Sequence, residues 1–398
     1  MTPSVPAPSI YLISSMDRRQ FLAVSAATLA GAGLSSAFSP LLAAVPHRKG
    51  EKYTMVILGD THYDTEPASV YHSHYNEPVE WLNRVQRAEF ARNGEMWRER
   101  CPRLLERASG LITPDTRMVL QMGDLIQGDC GSGDVHRKML SDVLDAFKAK
   151  LGGLPFVTVV GNHDIRGTDA KKVYHEYMPL RMSQELGKSI TKTTFSFTVG
   201  PDAFLVVDFN DPDDAELERL LRETEGARYT FVVVHGPVFP IDSANCRWFF
   251  HGKNTPEDTR ARLHFRSEFA RRHAIVLCGH THCTELADWY GDGGRITQMT
   301  MNSVWAREEL ARFAPDASGA AQYGMLRGRL KAMPNGKPIQ DETPLFDEYR
   351  PGLQRYLHDR SAGSYKLRVS PRAVVVEYYA GDAQECTCCF RLRGGRAR

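Results

Sequence analysis

The chain of 398 residues is long enough to bury a large core, either as one elaborated domain or as two ordinary ones. Hydrophobic residues make up 42% of it and charged residues 25%, which is typical of a soluble globular protein. Since 50 Lys and Arg nearly balance 48 Asp and Glu, the net charge of +2 gives no reason to expect a nucleic-acid partner.

The first 47 residues differ from the rest. Asp17-Arg-Arg-Gln-Phe-Leu-Ala23 is a twin-arginine pair followed by an apolar run, and no formally charged residue occurs from Gln20 to His47. The run is rich in Ala, Gly and Ser, so it does not predict a stable membrane span. It resembles a twin-arginine export signal with a small-residue cleavage region near Ala43-Ala44. This resemblance predicts export by that machinery and a periplasmic or secreted location; a disordered tail is the alternative.

Short apolar runs predict the strands, and segments with helical periodicity predict the helices. The predicted strands lie at 53–58, 118–122, 156–160, 193–198, 203–208, 229–234, 274–278 and 296–301, followed by a hairpin at 365–369 and 373–378. The predicted helices lie at about 78–110, 135–151, 170–186, 215–225 and 258–272. Strands that alternate with helices predict an α/β fold, and the hairpin adds an antiparallel part.

The region after the signal, 48–382, is predicted to be one domain with two insertions. The first insertion, 63–116, is polar with a helical second half, and the second, 306–363, is predicted to be irregular. A Cys- and Arg-rich tail, 383–398, is predicted to fray. Its Cys386-Thr-Cys-Cys389 run favours a disulfide or an adventitious thiol cluster over a metal site, because the eight cysteines show no paired zinc spacing.

Five of the predicted strands are followed directly by residues with metal-binding side chains. In chain order these are Asp60 with His62, Asp124, Asn162 with His163, His235, and His280 with His282. Each has a structural explanation when taken singly, as a helix cap, a buried core histidine or a polar strand edge. Together they favour one site, because the carboxyl ends of strands in an α/β sheet meet at one edge. Carboxylates, a carboxamide and imidazoles suit hard or borderline divalent ions, and without His163 there are enough ligands for two ions that share a carboxylate.

The same strand ends carry a known pattern of motifs. In order along residues 53–300, the blocks are Gly59-Asp-Thr-His62, Gly123-Asp124, Gly161-Asn-His-Asp164, His235-Gly236 and Gly279-His-Thr-His282. They resemble the calcineurin-like metallophosphoesterase superfamily. The resemblance implies a four-layer α/β/β/α sandwich of two mixed β-sheets flanked by helices. It also implies two metal sites, one formed by Asp60, His62, Asp124 and His282, the other by Asp124, Asn162, His235 and His280.

The activity implied by the resemblance is a dimetal phosphoesterase that hydrolyses a phosphomonoester or phosphodiester. The two divalent ions, which this ligand set allows to be Fe, Zn, Mn, Mg or Ca, would supply a bridging hydroxide for in-line attack. His163 would be the general acid for the leaving alkoxide. Asp164 is a second catalytic candidate, or simply a turn residue. The alternatives are a nucleotide pyrophosphatase or cyclic-nucleotide phosphodiesterase at the same site, and, in another class, a non-catalytic metal-binding scaffold.

The sequence departs from the family pattern in the second block. Gln127 and Gly128 stand where protein Ser/Thr phosphatases have an Asp and an Arg, which argues against that branch. A neutral amide at 127 would orient His163 but would raise its pKa less than a carboxylate would. The block also lacks the tyrosine of purple acid phosphatases.

Substrate choice is expected to depend on the insertions. The candidates for an active-site rim are His72, His74, Tyr75, Arg247, Trp248 and Lys253, which would equally well cover the sheet edges. A cap built from residues 63–116 and 306–363 would favour a small phosphate ester over a protein or nucleic-acid substrate.

Overall fold

The computed structural model describes residues 51–64, 80–241, 248–253, 255–326 and 341–394. The predicted export signal at 1–47 and four of the predicted rim residues, His72, His74, Tyr75 and Arg247, lie outside these ranges. Within them, no helix combines the length and the apolar composition that crossing a membrane requires.

The first of two sheets contains the strands that end in the first three motif blocks. Its members are β1 (Tyr53–Leu58), β2 (Thr116–Gln121), β3 (Phe156–Thr158), β12 (Gly363–Val369), β13 (Ala373–Ala380) and β14 (Cys388–Gly394). They follow the order β14-β13-β12-β1-β2-β3 across the sheet. β1, β2 and β3 run parallel, whereas β12, β13 and β14 are antiparallel to their neighbours. The carboxyl ends of the three parallel strands therefore lie side by side.

The second sheet has eight strands and is also mixed. Its members are β4 (Phe195–Val199), β5 (Asp202–Val207), β6 (Thr230–Val234), β7 (Ile275–Cys278), β8 (Thr284–Gly291), β9 (Gly294–Thr300), β10 (Ala317–Ser318) and β11 (Leu353–Asp359). The order across the sheet is β10-β11-β8-β9-β7-β6-β5-β4. β5, β6, β7 and β9 are parallel, so the motif-bearing ends of β6 and β7 are adjacent.

Alternating side chains of the second sheet place it between the first sheet and a layer of helices. The helices are α1 (Glu80–Gly110), α2 (Gly133–Lys150), α3 (Ala170–Leu186), α4 (Asp214–Glu223), α5 (Pro256–Arg271) and α6 (Thr343–Tyr349). Phe231 and Val233 of β6 belong to the core that includes the first sheet and α1–α3. Val232 and Val234 belong to a second core that includes α4 and α5. This period-two division gives four layers and confirms the predicted α/β/β/α sandwich.

The helix boundaries follow local signals that the sequence contains. Ser132 caps α2, because its hydroxyl accepts a hydrogen bond from the backbone N–H of Val135 at 3.3 Å. Thr255 caps α5 in the same way through Asp258, and Pro256 occupies the first turn. These two helices begin within a few residues of the predicted positions.

The structure corrects the predictions for the carboxyl-terminal third. The region 306–363, predicted to be irregular, contains β10, α6 and β11. The tail, predicted to fray, forms β14, which pairs with β13 and buries Phe390 and Leu392. These two residues alternate with arginines, a pattern that indicates a strand with one face buried. In the tail, Cys386 and Cys389 are free thiols with their sulfur atoms 3.3 Å apart.

Candidate metal centre

The predicted ligands gather where the carboxyl ends of strands from the two sheets face each other. Asp60 and His62 follow β1, Asp124 follows β2, Asn162 lies beyond β3, His235 follows β6, and His280 and His282 follow β7. The ligands come from strands of both sheets, whereas the strand ends alone predict a site at the edge of one sheet. The four-layer fold brings the two edges together.

The first group of possible donor atoms belongs to Asp60, His62, Asp124 and His282, and these atoms all lie within 4.8 Å of one another. The Nε2 atom of His282 lies 3.2 Å from Oδ2 of Asp60 and 2.9 Å from Nε2 of His62. The Nε2 atom of His62 lies 3.8 Å from Oδ2 of Asp124. This is the set that the family resemblance implies for one metal ion.

The second group contains Asp124, His235 and His280. Nε2 of His235 lies 3.2 Å from Oδ2 of Asp124 and 3.3 Å from Nδ1 of His280. Asn162 belongs to the implied set as well, and its Oδ1 is buried without a hydrogen-bond partner among the described residues. Asp124 is common to both groups, as a bridging carboxylate must be.

The electrostatic field between the groups favours a cation. Burial alone would raise the pKa of the Asp124 carboxyl, but His235 and His163 hold it well below its usual range. Burial would likewise lower the pKa of His235, yet the carboxylates of Asp124 and Asp60 raise it to about 9. The buried carboxylates thus attract positive charge to this point. Their own negative charge would be costly to bury without a cation to compensate it. A donor set of this chemistry, with the unpartnered Oδ1 of Asn162, fits two divalent ions.

The backbone is strained at several of these positions. His62, Asp124, His280 and His282 have φ angles of 45°, 47°, 73° and 51°. They are four of the nine non-glycine residues in the described ranges with positive φ. Each such residue costs about 1–3 kcal/mol, and this kind of strain concentrates at functional sites. The four strained residues are all members of the two groups of donor atoms, so the strain accompanies the placement of these side chains.

The loops that bear the ligands are tied to one another through the carboxylates. Both carboxylate oxygens of Asp60 accept from the backbone N–H of His280 at 3.0 Å. Oδ1 of Asp124 accepts from the backbone N–H of His163 at 2.8 Å, which leaves Oδ2 for the histidines. Each aspartate therefore fixes the position of a loop from another strand.

A further support, Gln121, was missed by sequence reasoning. Its side chain is fully buried at the end of β2. Its Nε2 donates to the carbonyls of Gly59 at 3.0 Å and Gly123 at 2.7 Å, and its Oε1 accepts from the backbone N–H of Gly123 at 3.0 Å. The side chain thus joins the ends of β1 and β2 beside Asp60 and Asp124. A polar residue inside an apolar strand was the signal available in the sequence.

Gly161 is required because of close packing and not because of its backbone conformation. Its φ is not among the positive values, so the turn does not need glycine for its conformation. A Cβ atom at this position would lie 2.1 Å from the backbone nitrogen of Asp124 and 2.2 Å from its Oδ1. Glycine is needed because the third motif packs directly against the shared carboxylate.

His163 lies within reach of both groups and is fixed through one ring nitrogen. Its Nδ1 lies 2.9 Å from the backbone carbonyl of Gln127, so Nδ1 carries the proton and donates it. Its ring meets that of His62 edge-on, with the ring centroids 4.5 Å apart. Burial, followed by the charge of Arg166, lowers the pKa of His163 to about 3. It is thus the main-chain carbonyl of Gln127 that orients this imidazole.

Gly128 explains the departure from the protein phosphatases. Its φ is 70°, and a Cβ atom there would lie 2.1 Å from the backbone oxygen of His163. Without a backbone shift, an arginine at this position is therefore excluded. The backbone at Gly128 packs directly against His163, at the position where the protein phosphatases have the arginine.

Asp164, the second catalytic candidate, holds two loops together. It is fully buried, and its Oδ1 accepts from the backbone N–H of Ile126 at 3.1 Å. Its Oδ2 accepts from the backbone N–H of Gly161 at 2.8 Å. Burial and the charge of Asp124 raise the pKa of its carboxyl to about 7. With both oxygens bound to the backbone, Asp164 is a positioning residue for the ligand loops.

Comparisons with known proteins agree with this site. Residues 53–284, more than half of the chain, match the model of the calcineurin-like phosphoesterase family. No curated protein matches the chain. The solved structures that are similar at low identity include the following three. GAP50, the anchor in the inner membrane complex of Plasmodium, is 11% identical with a TM-score of 0.45, covering 87% of this chain and 90% of its own.

PhoD is 10% identical with a TM-score of 0.47, and the match covers 88% of this chain and 73% of PhoD. The purple acid phosphatase PPD1 from yellow lupin (Lupinus luteus) seeds is 13% identical with a TM-score of 0.47, over 87% of this chain and 55% of that one. The family match includes all five motif blocks and the shared aspartate at their centre. The chain belongs to the calcineurin-like phosphoesterase family.

Proposed function

We propose that this chain hydrolyses a phosphate monoester or diester at a centre of two divalent ions. The ions are held by Asp60, His62, Asp124 and His282 on one side and by Asp124, Asn162, His235 and His280 on the other. When bound, two such ions supply a nucleophile at neutral pH and offset the charge of the phosphoryl oxygens. The observation that carries the proposal is the carboxylate of Asp124, which belongs to both groups of donor atoms.

The proton for the leaving alkoxide comes from His163 in this proposal. Because Nδ1 donates to the carbonyl of Gln127, a proton given to the leaving group would come from Nε2 of the protonated ring. The low pKa of about 3 makes the ring neutral in the absence of substrate. An anionic ester beside Nε2 favours the protonated ring, because opposite charge stabilises the charged form. His163 then acts as a general acid once substrate is bound.

The experiment compares leaving groups in protein loaded with each candidate metal. Matched 4-nitrophenyl and alkyl phosphates are assayed, as monoesters and as diesters, with His163→Ala and with His264→Ala. His264 is an exposed histidine of α5 and serves as the matched control. We expect His163→Ala to lower kcat/KM for the alkyl esters by about 10²–10⁴-fold. The loss for the 4-nitrophenyl esters should be far smaller, because 4-nitrophenolate leaves without a proton.

Two outcomes would contradict the proposal at different levels. Equal losses on alkyl and aryl esters would remove His163 from the role of general acid. If the metal-loaded chain hydrolysed no phosphate ester, no cyclic nucleotide and no nucleotide pyrophosphate, the alternative of a non-catalytic scaffold would replace the proposed enzyme.

We further propose that residues 1–47 direct export to the periplasm or beyond. The proposal is supported by Arg18 and Arg19 followed by an uncharged run up to His47. Conservative replacement of both arginines by lysine is expected to leave the precursor in the cytoplasm. Fractionation of cells that express either form tests this, and unchanged export of the lysine variant would contradict it.

A further inference from the structure

A cavity of about 350 Å³ adjoins the second group of donor atoms. Its lining includes Phe209, Asn210, Trp248 and Lys253. The ring of Phe209 lies 5.5 Å from those of His235 and His280 between centroids, and the ring of Trp248 lies 5.5 Å from that of His280. The cavity and the metal centre therefore share two aromatic walls.

Trp248 is placed in an unusual way for a large apolar side chain. Its indole is stacked on the imidazole of His280 with an interplanar angle of 12°, and yet 54% of the residue is exposed. Of the five large hydrophobic residues that are exposed in the described ranges, it is the one that lines this cavity. Exposed aromatic surface beside a reaction centre is typical of a ligand-binding wall.

Asn210 contributes a polar group to the same wall. Its backbone N–H donates to Oδ1 of Asp208 at 2.9 Å, which fixes the loop after β5. Its side-chain Nδ2 is buried and has no hydrogen-bond partner among the described residues.

Another part of the cavity lining is held by hydrogen bonds. His251 is buried, with Nε2 2.9 Å from Oδ1 of Asp214 and Nδ1 3.2 Å from Oδ1 of Asp258. The other oxygen of Asp258 accepts from the backbone N–H of Lys253 at 2.8 Å. Hydrogen bonds thus tie His251 and Lys253 to two helices, and this part of the lining is preformed.

We propose that this cavity binds a flat aromatic or heteroaromatic ring on the leaving group of the phosphate ester. The ring stacks on the exposed indole of Trp248. The inference rests on the proposed function and deepens it, since it names the class of alcohol that the enzyme releases. The phosphoryl group lies at the metal centre and the ring lies beyond His280.

The test uses two esters that differ only in aromaticity. Benzyl phosphate and cyclohexylmethyl phosphate, or their methyl diesters, release primary alkoxides, so the chemistry of the leaving group is matched. For the metal-loaded chain we expect kcat/KM to be about 10-fold higher for the benzyl ester, in line with the strength of aromatic stacking. In Trp248→Ala this ratio should fall to about 1, and Trp248→Phe should restore most of it.

Tyr290→Ala is the matched control, because Tyr290 is an exposed aromatic residue of β8 that does not line the cavity. It should leave the ratio unchanged.

Other results would overturn the inference. If Trp248→Ala lowered kcat/KM equally for the benzyl and cyclohexylmethyl esters, Trp248 would only shield His280 from water and the ring site would be refuted. If the wild-type chain turned over both esters at equal rates, the ring site would be refuted while the proposed function stood. If it turned over no phosphate ester with metal bound, the proposed function itself would fail.

Discussion

The two sides of the metal centre differ in how they are held. On the side of the first sheet, Asp60, His62 and Asp124 are all buried, and hydrogen bonds from Gln121 join the backbone on which Asp60 and Asp124 lie. On the side of the second sheet, His235 is also buried, but His282 has 52% of its side chain exposed and His280 lies under the exposed ring of Trp248. The buried side is suited to hold ions and the open side to admit a substrate.

The largest effect is expected where the two sides meet, at Asp124. Asp124→Asn keeps the shape of the side chain but removes the charge that both groups of donor atoms share. Two bound ions would stabilise the charge of the transition state by several kcal/mol, so kcat/KM should fall by at least about 10³-fold when they are lost. Metal analysis of the purified variant should show fewer than two ions per chain. A variant with both ions and full activity would show that Asp124 does not bridge.

A paired comparison of His62→Ala and His282→Ala separates the buried side from the open side. Loss of the imidazole of His62, which is 5% exposed, leaves a buried gap beside Asp124. Loss of the half-exposed ring of His282 leaves a position that water can occupy. We expect His62→Ala to weaken metal binding by roughly 10-fold more than His282→Ala, because water replaces a lost ligand only where it has access.

The metal affinities of both variants are measured under the same conditions by calorimetric titration. Equal losses of affinity would show that burial does not distinguish the two ligands, and the contrast between the two sides would then have no energetic content.

The strand-end residues that the structure brings together could be recognised from local patterns, whereas the facing of the two sheets could not. Asp60, Asp124, His235 and His280 could be found because each follows an apolar strand directly, and this local pattern needs no knowledge of distant contacts. That their strands belong to two facing sheets came from the family resemblance. Packing across layers is not encoded in the spacing of residues along the chain.

The misses have a common physical cause. β8 was not predicted because Thr284, Glu285 and Asp288 are buried there and hide the apolar alternation. Gln121 and Asp164 support the ligand loops through hydrogen bonds to backbone groups, which any sequence offers. Such contacts depend on the final geometry, so no residue pattern announces them.

The last expected effect concerns the buried side and its response to pH. His136 of α2 is fully buried, and its Nε2 lies 2.8 Å from the backbone carbonyl of Asp164, to which it donates. Burial lowers the pKa of His136 to about 4. The unfolded chain takes up this proton near pH 6.5, so between pH 6.5 and 4 the unfolded state is favoured as the pH falls.

Between pH 7 and pH 5 this single group should reduce the free energy of unfolding by about 2 kcal/mol, since each pKa unit corresponds to about 1.4 kcal/mol. His136→Gln keeps a donor for the carbonyl of Asp164 but does not titrate. Urea unfolding of the metal-loaded proteins at pH 7 and pH 5 should therefore show a smaller loss in the variant than in the wild type. Parallel losses would mean that other buried groups account for the acid sensitivity, and that the packing of His136 against the Asp164 loop does not control it.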